Sequence, residues 1–157
     1  MVNNTNNITL AKINNTFANE LVKILNTDNK LQDSLGAKKS NISHNEFIIY
    51  NNHWSKVNNA EIFAILYKEI AIGTISLSHQ NIKLKKAEIG YWISSKYWKK
   101  GYTTEAFSQI LNYAKSKGIK HLSSKIKKDN IPSRKIWINK GSKIELIDDY
   151  FFVSMML

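Results

Sequence analysis

The chain has 157 residues, of which 43% are apolar and 11% aromatic, a composition that suits one folded domain and excludes a disordered tail. It has no cysteine, so disulfides, thiolate metal sites and a cysteine nucleophile are all excluded. The net charge of +11 is unevenly placed: residues 83–143 hold 16 of the 23 Lys and Arg against three acids, a local +13, and the remainder carries −2.

In chain order, Ile8–Ile13 reads as a short strand. Asn15 or Thr16 can cap a helix whose apolar face is Phe17, Leu21, Ile24 and Leu25. Residues 27–60 are polar and weakly periodic, which predicts short helix and loop. Three extended runs follow, Glu61–Tyr67, Ile70–Ser78 and Lys83–Ser94, with turns at Lys68-Glu69 and near Asn81, giving an antiparallel meander. The period then changes to helical over residues 103–117, where Ala106, Phe107, Ile110, Leu111 and Ala114 form one stripe. Lys115 and Lys117 suit the negative end of that helix, and Gly118 suits its left-handed stop. Ile119–Ile126 is another strand. Asp129 or Asn130 caps a helix carrying Ile136, Trp137 and Lys140 and ending at Gly141, and the strands Lys143–Ile147 and Tyr150–Met156 finish the chain. The order β-α-α-β-β-β-α-β-α-β-β defines a mixed α/β sheet with helices packed on it, in a single domain over residues 1–157.

No run of about 18 apolar residues occurs, so no membrane partner is expected. The start, Met1-Val2-Asn3-Asn4, lacks the basic and apolar regions of a signal peptide, so a cytoplasmic address is expected. His44, His53, His79 and His121 are scattered, without metal-ligand spacing, and no metal is expected. The charge asymmetry implies an anionic partner, either nucleic acid or a phosphorylated cofactor, unless it is a solvated lysine-rich surface. The aromatics sit in apolar patterns rather than interleaved with basic residues, which argues against nucleic acid.

The junction Trp98-Lys99-Lys100-Gly101-Tyr102-Thr103-Thr104-Glu105-Ala106 joins a strand to an amphipathic helix. A glycine at the bend removes the Cβ that would hold a phosphate away from the backbone. The first helical N–H groups lack intrahelical partners and lie at the positive end of the dipole, and Lys99 and Lys100 add charge beside them. A structural turn without a ligand would show the same glycine, so the flanks decide. Ala87-Glu88-Ile89-Gly90-Tyr91-Trp92-Ile93 followed by Trp98 to Ala106 resembles the central motif of GNAT N-acetyltransferases. Asn130-Ile131-Pro132-Ser133, then Trp137 and Gly141, resembles their second motif. The match is closest to the branch containing ribosomal-protein N-terminal acetyltransferases and small-molecule relatives, and it is strongest over residues 83–145.

The resemblance implies the GNAT fold, a mostly antiparallel seven-stranded sheet with a splay between two central parallel strands and about four flanking helices. It also implies acetyl-CoA as co-substrate, with pantetheine on the backbone near Tyr91 and Ile93 and pyrophosphate on the loop of Trp98, Lys99, Lys100, Gly101, Tyr102, Thr103 and Thr104. Asn130, Ser133 and Arg134 would border the pantetheine and adenine end. Two positions depart from the family: glycine is usual where Lys99 stands, and alanine or glycine where Thr103 stands. Many relatives also carry a tyrosine acid at the position of Trp137, whose indole cannot supply a proton and whose plain reading is a core residue.

Glu88 lies on the strand leading to the loop, where relatives use a carboxylate as base, and burial among Tyr91, Trp92 and Ile93 would raise its pKa. Its other reading is a partner for Lys85 or Lys86. Ser133 stands where this branch has a serine that protonates or orients the CoA sulfur, and its other reading is a first-turn residue bonding backbone amides. The acceptor is a primary amine: a protein N-terminus or a small molecule. Two other functions remain open, a GNAT-fold acyl-CoA sensor without catalysis and a basic nucleic-acid-binding domain, and a homodimer is open as an assembly.

Overall fold

The computed structural model describes residues 7–37 and 41–157, so the reading of Met1–Asn4 lies outside the described residues. These residues form seven strands and five α-helices: β1 (Ile8–Lys12), α1 (Asn15–Thr27), α2 (Asn29–Leu35), α3 (His44–Val57), β2 (Glu61–Tyr67), β3 (Ile70–Asn81), β4 (Lys86–Ile93), α4 (Tyr102–Ser116), β5 (His121–Lys127), α5 (Ile131–Asn139), β6 (Lys143–Ile147) and β7 (Tyr150–Met156). The sheet order is β1-β2-β3-β4-β5-β7-β6, antiparallel throughout except for the parallel pair β4 and β5.

The main departure from the sequence reading lies in residues 27–60, where the structure has two further helices, so three helices rather than two precede the meander. Their stripes are hard to read because few of their apolar residues are buried. In α3 only Phe47 is buried, whereas Ile49, Tyr50 and Val57 are exposed. Their caps are regular nonetheless. Ser43 Oγ accepts from the Glu46 amide (3.1 Å), the Ser-x-x-Glu spacing of a capping box, and Asp28 caps α2, which stops at left-handed Gly36. The cap of α1 is Asn14, one residue before the expected Asn15, with its side chain accepting from the Phe17 amide at 2.8 Å.

Strand β3 is buried on both faces from Ala71 to Ser78, because helices cover the sheet on each side. On one face Ile75, Leu77, Ala87, Ile89, Leu122 and Val153 pack with Ala106, Phe107, Ile110 and Trp137 of α4 and α5. Each such fully buried large side chain contributes about 1.5–3 kcal/mol. On the other face Ala64, Leu66 and Ala71 meet Ala18, Leu21 and Phe47 of α1 and α3. Helix α4 is also fixed at its far end, where Glu61 accepts from Tyr113 Oη and Lys117 Nζ, each at 2.5 Å. The Lys117 expected to complement the helix dipole therefore also ties α4 to β2.

The parallel ladder is short. Lys86, Ala87 and Glu88 pair with His121, Leu122 and Ser123, and the strands then part. Beyond that point β4 follows β3 as far as Ile93, and β5 follows β7 as far as Lys127. Gly73 makes the first of these paths possible. A Cβ there would lie 2.2 Å from the Trp92 carbonyl oxygen, so only glycine lets β3 stay this close to β4 where β4 leaves β5.

Candidate active site

The splay has a floor, a mouth and two faces, each set by local sequence. At the mouth, β4 ends in Ile93 and a single 3₁₀ turn, Ser95–Tyr97, leads to the loop before α4. Trp98 Nε1 donates to the Ile93 carbonyl (2.9 Å), folding the loop back onto the strand end. This places the Trp98 indole as a brace for the loop and engages one of the Ile93 backbone groups expected to face pantetheine.

Gly101 caps α4 with φ of 80°, a left-handed conformation that glycine adopts without strain. No side chain caps the helix at that end. Glu105 N–H bonds back to the Gly101 carbonyl (3.1 Å), so the amides of Tyr102, Thr103 and Thr104 precede the first intrahelical bond. Uncapped amides, the positive dipole end and the exposed Lys99 and Lys100 together form an anion cradle. Lys99 itself has φ of 60°. That explains why glycine is the usual residue there: a side chain in the left-handed region costs roughly 1–2 kcal/mol. The rings of Tyr67, Tyr97 and Tyr102 pack beside the cradle, with Tyr67 and Tyr102 centroids 4.8 Å apart.

Alternation along β4 divides the remaining residues between two faces. Tyr91 points toward α4 and α5, where its hydroxyl bonds Ser133 Oγ and its ring meets Phe107 edge to face. Ser133 is buried in the first turn of α5, and its amide donates to Asn130 Oδ1 (3.3 Å), so Asn130 is the cap of that helix. The Arg134 guanidinium lies over the Phe151 ring (4.5 Å), which pins α5 to β7. Burial pushes the Tyr91 phenol up to about 12, an effect partly offset by Ser133 and Trp137.

Glu88 belongs to the opposite face, at the last β4 position paired with β5, with Ser78 across from it on β3. It is not buried among aromatics as expected. Its side chain is 40% exposed, and its partner is His79 rather than Lys85 or Lys86, with Nδ1 3.2 Å from Oε2. By register Gly90 and Trp92 share this face with Glu88, as do Ser123, Lys125 and Lys127 of β5. Among the described residues, no cluster of three or more His, Asp or Glu side chains comes together as a metal site.

Sequence reading missed Asp28. Its Oδ2 accepts from the Ser95 amide (2.7 Å), and its Oδ1 accepts from Ser95 Oγ (2.6 Å) and the Leu31 amide (3.1 Å). One carboxylate thus ties the α1–α2 junction to the turn that leads into the loop before α4. At the other end of α2, Lys127 Nζ approaches Gly36, so α2 runs from the end of β4 to the end of β5. The Asp-to-Gly spacing marks the helix, but the partner 67 residues away leaves no local signal.

The sheet thus opens beside an uncapped helix start, and comparison with known proteins gives the class of the chain. The acetyltransferase (GNAT) domain model matches residues 7–142, and the chain belongs to this family. It is similar to the ribosomal-protein-serine acetyltransferase of Escherichia coli strain K12, with 29% identity over 87 residues, covering 55% of this chain and 49% of the relative. The chain spans about half the length of the curated relatives it matches. Its fold is that of Mycobacterium smegmatis RimJ in complex with CoA-disulfide, with a TM-score of 0.81 at 18% identity, covering 95% of this chain and 81% of that one. The same holds for Vibrio cholerae spermidine N-acetyltransferase in complex with CoA and spermine, at 0.79 and 15%, covering 96% and 95%.

Partial burial pushes the Asp28 carboxyl up, but hydrogen bonds from Ser95 and Leu31 outweigh it and hold the group below its usual 3.8. A group with a lowered folded pKa stabilises the fold above its unfolded value and loses that effect as pH falls through the folded value. An amide cannot replace it: either flip of Asn aims an NH₂ at the Ser95 or the Leu31 amide. We predict that Asp28→Asn lowers unfolding free energy by about 1–3 kcal/mol at pH 7. In urea titrations the deficit should shrink as pH falls below 3.8. A deficit independent of pH would show that the carboxylate charge is not what holds the turn.

Proposed function

We propose that this chain, as one domain over residues 1–157, transfers an acetyl group from acetyl-CoA to a primary amine. The observation that carries the proposal is the three-residue β4–β5 ladder opening beside the uncapped α4 N-terminus. The amides of Tyr102, Thr103 and Thr104, with Lys99 and Lys100, receive the pyrophosphate. Tyr91 and Ile93 flank the pantetheine arm, and Asn130, Ser133 and Arg134 border it from α5. This use of anions also accounts for the local +13 charge of residues 83–143.

Acetyl-CoA, when bound, supplies an activated acyl group on a thiol leaving group with a pKa near 8.5. The chain's own residues then manage protons. Glu88 takes the proton of the incoming ammonium, directly or through water, so that a neutral amine attacks. His79 beside it keeps the carboxylate oriented at the floor of the splay. Ser133 meets the sulfur from α5. A cytoplasmic location and a homodimeric assembly belong to this proposal as well.

For the acceptor we infer a peptide α-amine or an amine of similar basicity. An α-amine has a pKa of about 7.7–8.0 and a lysine-type amine about 10.4, so a half-exposed carboxylate base suits the former far better. Lys125, Lys127 and Lys143 lie by register on the Glu88 face, which disfavours a polyamine and favours an amine flanked by acidic groups. The relative named for a ribosomal protein and the neighbour holding spermine stand on opposite sides of this choice.

Three outcomes test the proposal. Calorimetry at low salt should detect CoA binding by the wild type, and Gly101→Val should weaken it at least tenfold, because a β-branched residue cannot hold a φ of 80° and would block the phosphate. No binding by the wild type would reject the whole assignment. Glu88→Gln should slow turnover by roughly 10²–10⁴ with acetyl-CoA affinity nearly unchanged and partial recovery at high pH. Normal turnover by that variant at neutral pH would remove Glu88 from the mechanism. In competition at equal concentration, read by mass spectrometry, peptides with acidic second and third residues should outcompete spermidine and an aminoglycoside. Faster acetylation of spermidine or the aminoglycoside would reject the acceptor class alone.

A further inference from the structure

Strand β3 loses its regular register beside Glu88. Between the pairs Ser78–Glu88 and Asn81–Lys86, β3 has two residues, His79 and Gln80, against one of β4, Ala87. In an unbroken ladder residue 79 would pair with Ala87 and point, like Leu77 and Ile89, into the apolar core. The bulge re-aims it. His79 takes a left-handed φ of 49°, a conformation unfavourable for a residue with a Cβ. The α3–β2 loop holds it there. The His79 amide donates to the Asn58 carbonyl (2.6 Å), the Gln80 amide to the Asn59 carbonyl (3.3 Å), and Asn59 Nδ2 to the Gln80 carbonyl (2.5 Å). The ring thereby comes to the Glu88 side of the sheet, with Nδ1 3.2 Å from Glu88 Oε2 and 3.1 Å from Ser78 Oγ. Glu61, the acid at the start of β2, bonds Tyr113, Lys117 and Gln80 instead.

The carboxylate assigns the tautomer. It can only accept, so Nδ1 carries the hydrogen and Nε2 keeps a lone pair. Among the described residues nothing bonds Nε2, and the His79 side chain is 52% exposed. Glu88 is the last β4 residue paired with β5, so the pair stands where the two strands part. Imidazole also matches an amine better than a carboxylate does: ordinary values are about 6.5, against about 4.3 for Glu and about 7.7–8.0 for an α-amine. We propose that His79 is a catalytic residue, a base interposed between the substrate amine and Glu88. The bound ammonium gives a proton to Nε2, and the exposed ring releases it to solvent. The neutral nitrogen then bonds the acetyl carbon and sheds its second proton to the same Nε2. The carbon–sulfur bond breaks, and CoA leaves as its thiolate. Throughout, Nδ1–H stays on the ring, and Glu88 stabilises the imidazolium. The inference rests on the acetyl-transfer reading of the cleft and makes an imidazole, in place of water, the link between Glu88 and the amine.

Replacement by asparagine separates this role from mere orientation of Glu88. Asparagine tolerates a left-handed φ, and its NH₂ can donate to Glu88 much as Nδ1 does, but it has no basic nitrogen. Rates are followed from about pH 6 to about pH 9, a range that spans imidazole and α-amine titration. The substrate is whichever the wild type acetylates fastest among a peptide with acidic second and third residues, spermidine and an aminoglycoside. His79→Asn should lower kcat by roughly 10²–10⁴ near neutral pH, with the KM for acetyl-CoA unchanged and partial recovery at high pH, where the amine loses its own proton. His79→Gln should do the same, as a second variant without a basic nitrogen. Combining His79→Asn with Glu88→Gln should slow the enzyme little beyond the slower single variant, since the two side chains act as one unit. Thermal unfolding and CoA calorimetry of each variant should match the wild type. A wild-type rate and pH profile in His79→Asn would overturn the inference while leaving acetyl transfer intact, and so would losses that multiply in the double variant. Failure of the wild type to acetylate any of the three amines would overturn it together with the proposed function.

Discussion

Everything in this molecule that bears on function depends on one short parallel ladder, three residue pairs long, between β4 and β5. A sheet that loses a central ladder exposes backbone donors and acceptors in its interior, which is costly unless something pairs with them. The chain limits the exposure by assigning each strand to its other neighbour. Gly73 lets β3 hold β4, and β7 holds β5 to its end. The remaining gap is bridged at its sides by contacts that cross it: Tyr91 to Ser133 on one face, and α2 between Ser95 and Lys127 on the other. An extended ligand with alternating amide donors and acceptors is the natural partner for such an edge, and pantetheine has that chemistry.

The two faces of the splay are chemically unlike, and alternation along β4 is the cause. Odd positions, Tyr91 among them, enter an aromatic core where a phenol stays protonated, whereas Glu88, at an even position, meets solvent and His79. A protected phenol thus lies on one side and a solvated carboxylate on the other. The basic surface fits this scheme in two places: Lys99 and Lys100 flank the helix start, and Lys125, Lys127 and Lys143 lie on the carboxylate face.

Much of this was legible in the sequence. The meander, α4, β5, α5 and the final strands follow from period changes and caps, and the left-handed turn at Gly101 follows from a glycine between a strand and an amphipathic helix. Lys99 also stood out as a departure, and its positive φ gives the reason. What escaped had two causes. Helix α3 hides because Phe47 alone of its apolar residues is buried, so its Ser43-x-x-Glu46 cap was the better signal. The side-chain pairings hide because they are remote in sequence. Asp28 with Ser95 and Tyr91 with Ser133 join segments 67 and 42 residues apart, and no local pattern announces them. The expected environment of Glu88 was misjudged: β4 alternation turns it to the solvated face, and the bulged end of β3 supplies His79.

The central claim is that the helix start at Tyr102–Thr104 and the unpaired edge of β4 receive one ligand together. Amide resonances of the isotope-labelled protein, followed through a titration with CoA, test it most directly. The account predicts saturable shifts in the amides of residues 90–93 and 101–104 with one common affinity, and hydrogen exchange slowed at the same positions. Shifts confined to the lysine-bearing face of β5 to β7, or of equal strength with any polyanion, would contradict it and point to a charged surface without a built cleft.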